Sequence, residues 1–158
     1  MSELKVKKSN AIKAWEDADS KGRTLLENLY GKEIFKSDNV MERIKTFEDA
    51  LEETGRPNVP EFSDVPEEIR AYFIAQYKMS VIVEALNEGW KPNWDNSSEK
   101  KWRSWFTMSP SAFAFDVSHY VDTNAGAGSG SRLCLKSKEL AIYCANQFLD
   151  IWKDIQLK

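Results

Sequence analysis

His119 is the only histidine of the chain, and Cys134 is one of its two cysteines. A thiol nucleophile needs a base within hydrogen-bond reach and a group that orients that base. The two residues fall on neighbouring extended segments, so a Cys-His pair is the one nucleophilic arrangement available. Free cysteines are usually buried and inert, and a structural role is the expectation for both. The run from Asp17 through Asp19 to Gly22 imitates the start of a calcium loop, with oxygen ligands at alternate positions and a glycine for the turn. Lys21 puts a cation where a ligand is needed, and Asn28 stands where the loop needs a bidentate glutamate. Gly126, Gly128, Gly130 and Arg132 could cradle a phosphate. Phosphate loops run from a strand into a helix, however, and this stretch leads toward another extended segment. It reads as a flexible connection that can order on a partner.

A different chemistry is concentrated between Trp90 and Phe106. Four of the six tryptophans, Trp90, Trp94, Trp102 and Trp105, lie there with Lys91, Lys100, Lys101 and Arg103. Indoles interleaved with cations suit protein interfaces, where Trp and Arg anchor binding, and single-stranded nucleic acids, where rings stack on bases. The same rings could instead fill a satellite core. Trp90, Trp94, Trp102, Arg103 and Trp105 are the partner-binding candidates. No catalytic residue, metal ligand or cofactor is assigned.

The surrounding elements follow from periodicity. Ile12, Trp15 and Ala18 form one helical stripe, and Leu25, Leu26 and Leu29 a second, with Gly22 between, which reads as either one kinked helix or two short ones stopping at Gly31. The spacing of Val40, Ile44, Phe47 and Leu51 predicts one helix, opened by an Asn39–Glu42 capping box with Asp38 as a competing cap, and closed at Gly55. Asp64 is the expected cap of a long helix ending at Gly89, whose apolar residues reach almost all the way round. After Gly89 the period changes. Residues 101–108 read as a strand with Trp102 and Phe106 on one side. Phe113, Phe115, Val117 and His119 share one face of a second strand, with Asp116 and Ser118 opposite, and Arg132–Lys136 reads as a third. Ser137 caps a last helix carrying Leu140, Cys144, Phe148, Trp152 and Ile155.

The length of 158 residues, 42% hydrophobic and 30% charged, suits a single domain over residues 1–158, with 1–8 frayed. A formal net charge of −3 gives the whole molecule no attraction for polyanions. No apolar run is long enough for a membrane span, and the polar start lacks the pattern of a signal peptide, so a cytoplasmic location with reduced cysteines is expected.

Gly22–Lys32, Ile44–Ala50, Ala85–Trp90, Trp105-Phe106, Gly130–Cys134, Lys136-Ser137 and Gln147-Phe148, in that order, carry a resemblance. Together they are similar to small proteins of phages, prophages and mobile elements of anaerobic gut bacteria, a group with no established activity. The resemblance runs from about residue 9 into the last helix. It implies a genetic context and an accessory role, such as acting on a host protein, and it implies no catalytic residues.

The sequence therefore predicts an α+β fold, three to four helices on a small antiparallel meander with a C-terminal helix. It points to a non-catalytic interaction or accessory protein. A protein partner or self-association is expected, and nucleic acid bound at residues 90–106 is the alternative.

Overall fold

The computed structural model describes residues 6–109, 112–121 and 131–158. Gly126, Gly128 and Gly130 of the expected flexible loop lie outside them. The chain forms two compact units, residues 1–39 and residues 40–158.

In the first unit, α1 (Lys8–Asp17) and α2 (Ser20–Tyr30) are followed by a 3₁₀ turn, Lys32–Phe35. The break falls at Ala18-Asp19 rather than at Gly22, because Asp19 caps α2 by accepting the Gly22 N–H at 2.8 Å. The carboxylate expected to imitate a calcium ligand is thus a helix cap. Gly31 ends α2 at φ +85°, a region other residues rarely enter. Trp15 stacks on Phe35 at 5.7 Å between centroids, Arg23 lies over the Trp15 ring at 4.6 Å, and the Trp15 indole N–H donates to Glu27 at 3.0 Å.

The second unit is an α+β arrangement around α5 (Glu67–Asn87). The single helix expected over Val40–Leu51 is two, α3 (Val40–Arg43) and α4 (Phe47–Thr54). A second capping box decides this. Thr46 accepts the Asp49 N–H at 3.1 Å, and the Asp49 carboxylate takes the Thr46 and Lys45 N–H groups at 2.8 and 3.0 Å. The carbonyls released at the break are taken up elsewhere: Ile44 accepts from the Tyr143 hydroxyl at 2.7 Å and Lys45 from the Gln147 amide at 2.8 Å. Gly55 closes α4 in the left-handed conformation, as expected.

Asp64 does not cap α5. Pro66 disfavours helical geometry at Val65, the chain turns through Phe62–Val65, and the helix begins at Glu67. Its C-terminal half is the core of the unit, with Met79, Ile82 and Leu86 fully buried. Its N-terminal half leaves Ile69, Tyr72 and Phe73 exposed.

The sheet has two antiparallel strands, β1 (Lys101–Ser109) and β2 (Ala112–Val121). The expected third strand contributes a 3₁₀ turn, Ser131–Leu133, and one bridge between Leu135 and Trp102. Leu133, Cys134 and Leu135 are all buried, so the alternation a strand needs is missing. The Asn87 side chain also occupies backbone groups that a strand would use, donating to the Cys134 carbonyl at 2.9 Å and accepting the Lys136 N–H at 3.0 Å. Ser137 then caps α6 (Lys138–Gln147) at the Leu140 N–H, as expected, and α7 (Leu149–Leu157) follows. Cys144 and Trp152 of these helices are buried, and Trp152 packs on Phe106 of β1 at 5.3 Å.

The register of the hairpin corrects the facing of β2. Trp105 pairs with Val117 and Phe106 with Phe115, which leaves Asp116 as an extra residue. Such a bulge reverses the side-chain alternation beyond it. Phe113 and Phe115 are half-buried, whereas Val117 and His119 are exposed and Ser118 is buried.

Glu88, just past α5, ties three segments together. It accepts from Arg43 at 2.7 Å and from Lys136 at 2.6 Å. The Lys136 and Arg43 hydrogen bonds hold its carboxyl below the ordinary value of 4.5, against a smaller opposing effect of burial. A depressed carboxylate contributes stability that is complete above its unfolded pKa and is lost as pH falls through the folded one. Thermal melts should therefore lose stability below about pH 4.5, and Glu88→Gln should shrink that acid-dependent part. Identical acid profiles for the two proteins would contradict this role.

Candidate functional site

The aromatic segment is divided among three environments. Trp102 lies on the side of β1 that packs against the core, with its ring edge-on to Tyr120 at 5.0 Å and its backbone bridged to Leu135 in both directions. Its neighbour on that side, Ser104, donates to the Ala141 carbonyl at 2.9 Å. Both Trp102 and Ser104 are held by the fold.

Trp90 and Trp94 sit in the loop after α5, half-buried, and line an open groove of about 950 Å³. The loop is organised by Lys101, which is completely buried. Its ammonium donates to the Asn96 and Glu99 carbonyls at 3.1 and 3.0 Å, lies 3.4 Å from the Glu99 carboxylate and faces the Trp94 ring at 5.4 Å. Burial pushes the Glu99 carboxyl up, but the Asn93 N–H, the Lys101 ammonium and the Trp90 indole N–H together hold it below its usual range. Lys101, one of the cations expected on an aromatic-basic surface, therefore lies inside. Lys100 remains exposed and covers the Tyr120 ring at 4.6 Å.

Trp105 is different. It is 55% exposed in the middle of a strand, and the exposed His119 ring meets it edge-on at 5.6 Å. With Tyr72 of α5 and Met108 of β1, both also exposed, it lines a second groove of about 550 Å³ whose other wall includes Trp152 and Ile155 of α7. Arg103 is half-buried and lines the same groove. Arg132 is exposed and borders the groove of Trp90 and Trp94.

Cys134 and His119 differ sharply in environment. Cys134 is buried, and burial pushes its thiol up in pKa while Arg103 and then Lys101 pull it partly back. A protonated thiol is a poor nucleophile. Cys144 is buried too and is pushed up to about 12 by desolvation, against a small opposing effect of the Trp152 indole, and its sulfur lies 3.6 Å from the Met79 sulfur. Neither cysteine should react with a disulfide reagent in the native protein, and both should react at once in denaturant. Fast labelling of either thiol under native conditions would contradict this burial.

Sequence reasoning missed Tyr72, Met108 and Asn87. Tyr72 belongs to the apolar run of α5, which is too wide for a single core face, and that width is the available signal. Asn87 is a lone amide at the end of an apolar helix, where a buried polar group must find partners.

Helices packed around a two-stranded hairpin, with two aromatic-lined grooves on the second unit, define an α+β protein. No protein-family profile, curated protein or solved structure matches the chain. Among the described residues no helix is long and apolar enough to cross a membrane, and no cluster of three or more His, Cys, Asp or Glu residues could hold a metal ion.

Proposed function

We propose that this chain is a non-catalytic interaction protein that holds a protein partner, or a second copy of itself, through the face around Trp105. The observation that carries the reading is the 55% exposure of Trp105 beside exposed Tyr72 and Met108 along one groove. Large apolar side chains grouped on a surface mark interaction sites, and tryptophan is the most frequent anchor of binding energy. The buried, protonated Cys134 supports a non-catalytic role. The sequence resemblance supports an accessory role in a phage or mobile element, acting in the cytoplasm. Nucleic acid at residues 90–106 has less support, because Lys101 is inside the fold and Trp102 packs against the core.

The test compares tagged wild type, Trp105→Glu and Arg132→Glu as baits, with sedimentation of each protein alone. Wild type and Arg132→Glu should retain the same partner or the same self-association, and Trp105→Glu should lose at least about tenfold in affinity. Equal retention by Trp105→Glu would refute the reading. Salt-sensitive retention on single-stranded oligonucleotides, unchanged in Trp105→Glu, would favour nucleic acid instead.

A further inference from the structure

The groove of Trp90 and Trp94 has a chemistry of its own. Its floor is apolar, formed by buried Val83 and Leu133, and the two indoles stand along it. Arg56 and Glu84 also line it, but they pair with each other through two hydrogen bonds of 2.9 Å. The charge left to a visitor comes from Lys91 and Arg132, both exposed and lining the groove, and among the described residues neither has a carboxylate partner. The indoles are fixed from behind. Lys101 backs the Trp94 ring at 5.4 Å, and Trp90 is anchored by its backbone N–H, which donates to the Asn87 carbonyl at 2.8 Å. Aromatic walls held in place before binding lose little freedom when a ligand enters. An indole face stacks on flat rings, and an ammonium and a guanidinium together receive an anionic group.

We infer that this groove is a binding site for a flat aromatic anion, its ring against Trp90 and Trp94 and its anionic group at Lys91 and Arg132. The same chemistry is offered by an aromatic carboxylate or sulfonate and by a nucleotide, whose base stacks while its phosphate meets the cations. The site is separate from the Trp105 face and does not depend on the protein-docking reading.

Isothermal titration of the full chain tests it with three probes: anilinonaphthalene sulfonate, naphthoate and adenosine monophosphate. Saturable binding of at least one probe is expected, at one molecule per chain, weakening as salt is added. Preference for adenosine monophosphate identifies a nucleotide site, and preference for naphthoate an aromatic acid site. Arg132→Glu, a surface change that spares the fold, should lower affinity about tenfold or more, Trp94→Ala should do the same, and Trp105→Ala should leave it unchanged. The inference is overturned if none of the three binds saturably up to about millimolar concentration, or if Trp105→Ala abolishes binding that Arg132→Glu retains.

Discussion

Replacing Lys101 with methionine should destabilise the protein by about 3 kcal/mol and loosen the loop between Asn93 and Lys100. Methionine matches the unbranched apolar stem of lysine but removes the ammonium. Three oxygens then lose their donor: the Asn96 carbonyl at 3.1 Å, the Glu99 carbonyl at 3.0 Å and the Glu99 carboxylate at 3.4 Å. Removing one member of a buried charged group costs more than the pair contributes, because the partner stays desolvated. The Glu99 carboxyl should rise in pKa once the ammonium is gone. Trp94 loses the cation behind its ring, so the groove should also lose affinity for its aromatic anion. For a chain of this size a loss of about 3 kcal/mol lowers the melting temperature by roughly 6–12 °C. Amide exchange should speed up between residues 93 and 101 before it changes in α5. An unchanged melting temperature, or exchange that is uniform along the chain, would show that Lys101 does not hold the loop.

The second large effect belongs to Asn87. Its amide donates to the Cys134 carbonyl and accepts the Lys136 N–H, joining the end of α5 to the segment that bridges to β1. Asn87→Ala removes both bonds and leaves a buried carbonyl without that donor, a cost of about 2–4 kcal/mol. Asn87→Asp separates the two bonds. Aspartate can still accept from Lys136 but cannot donate to Cys134, and it brings a buried negative charge against a carbonyl. It should be at least as destabilising as alanine near neutral pH and should recover part of the loss in acid, where the protonated carboxyl can donate. Calorimetric melts at the two pH values decide the matter. Aspartate behaving like wild type near neutral pH would mean that the Cys134 bond contributes little.

Local patterns in the sequence foretold the elements well where one interaction dominates. Ser137 caps α6, Gly31 and Gly55 end their helices, and the apolar run of α5 lies at the centre of its unit, because each rests on a few neighbouring residues. Competition between adjacent signals was harder to read. Asn39–Glu42 and Thr46–Asp49 both have capping-box character, and the choice between one helix and two depends on Tyr143 and Gln147, about a hundred residues away, donating to the released carbonyls. The bulge at Asp116 could not be seen in β2 alone, since it exists only in the pairing with β1. The same limit applied to the candidate site. Composition revealed that indole surface is the unusual chemistry of this chain, but not that Trp102 packs inward while Trp105 faces out. Lys101 looked like a surface cation and is a buried clamp, because the carbonyls that receive it come from a loop whose shape it helps to create.

Photo-crosslinking in cells that make the protein, from benzoylphenylalanine placed at position 105, tests the interaction reading most directly, with the same probe at the exposed Ile142 of α6 as reference. The account predicts a discrete adduct, with another protein or with a second copy of the chain, formed from position 105 and not from position 142. No adduct from position 105, or the same products from both positions, would contradict it.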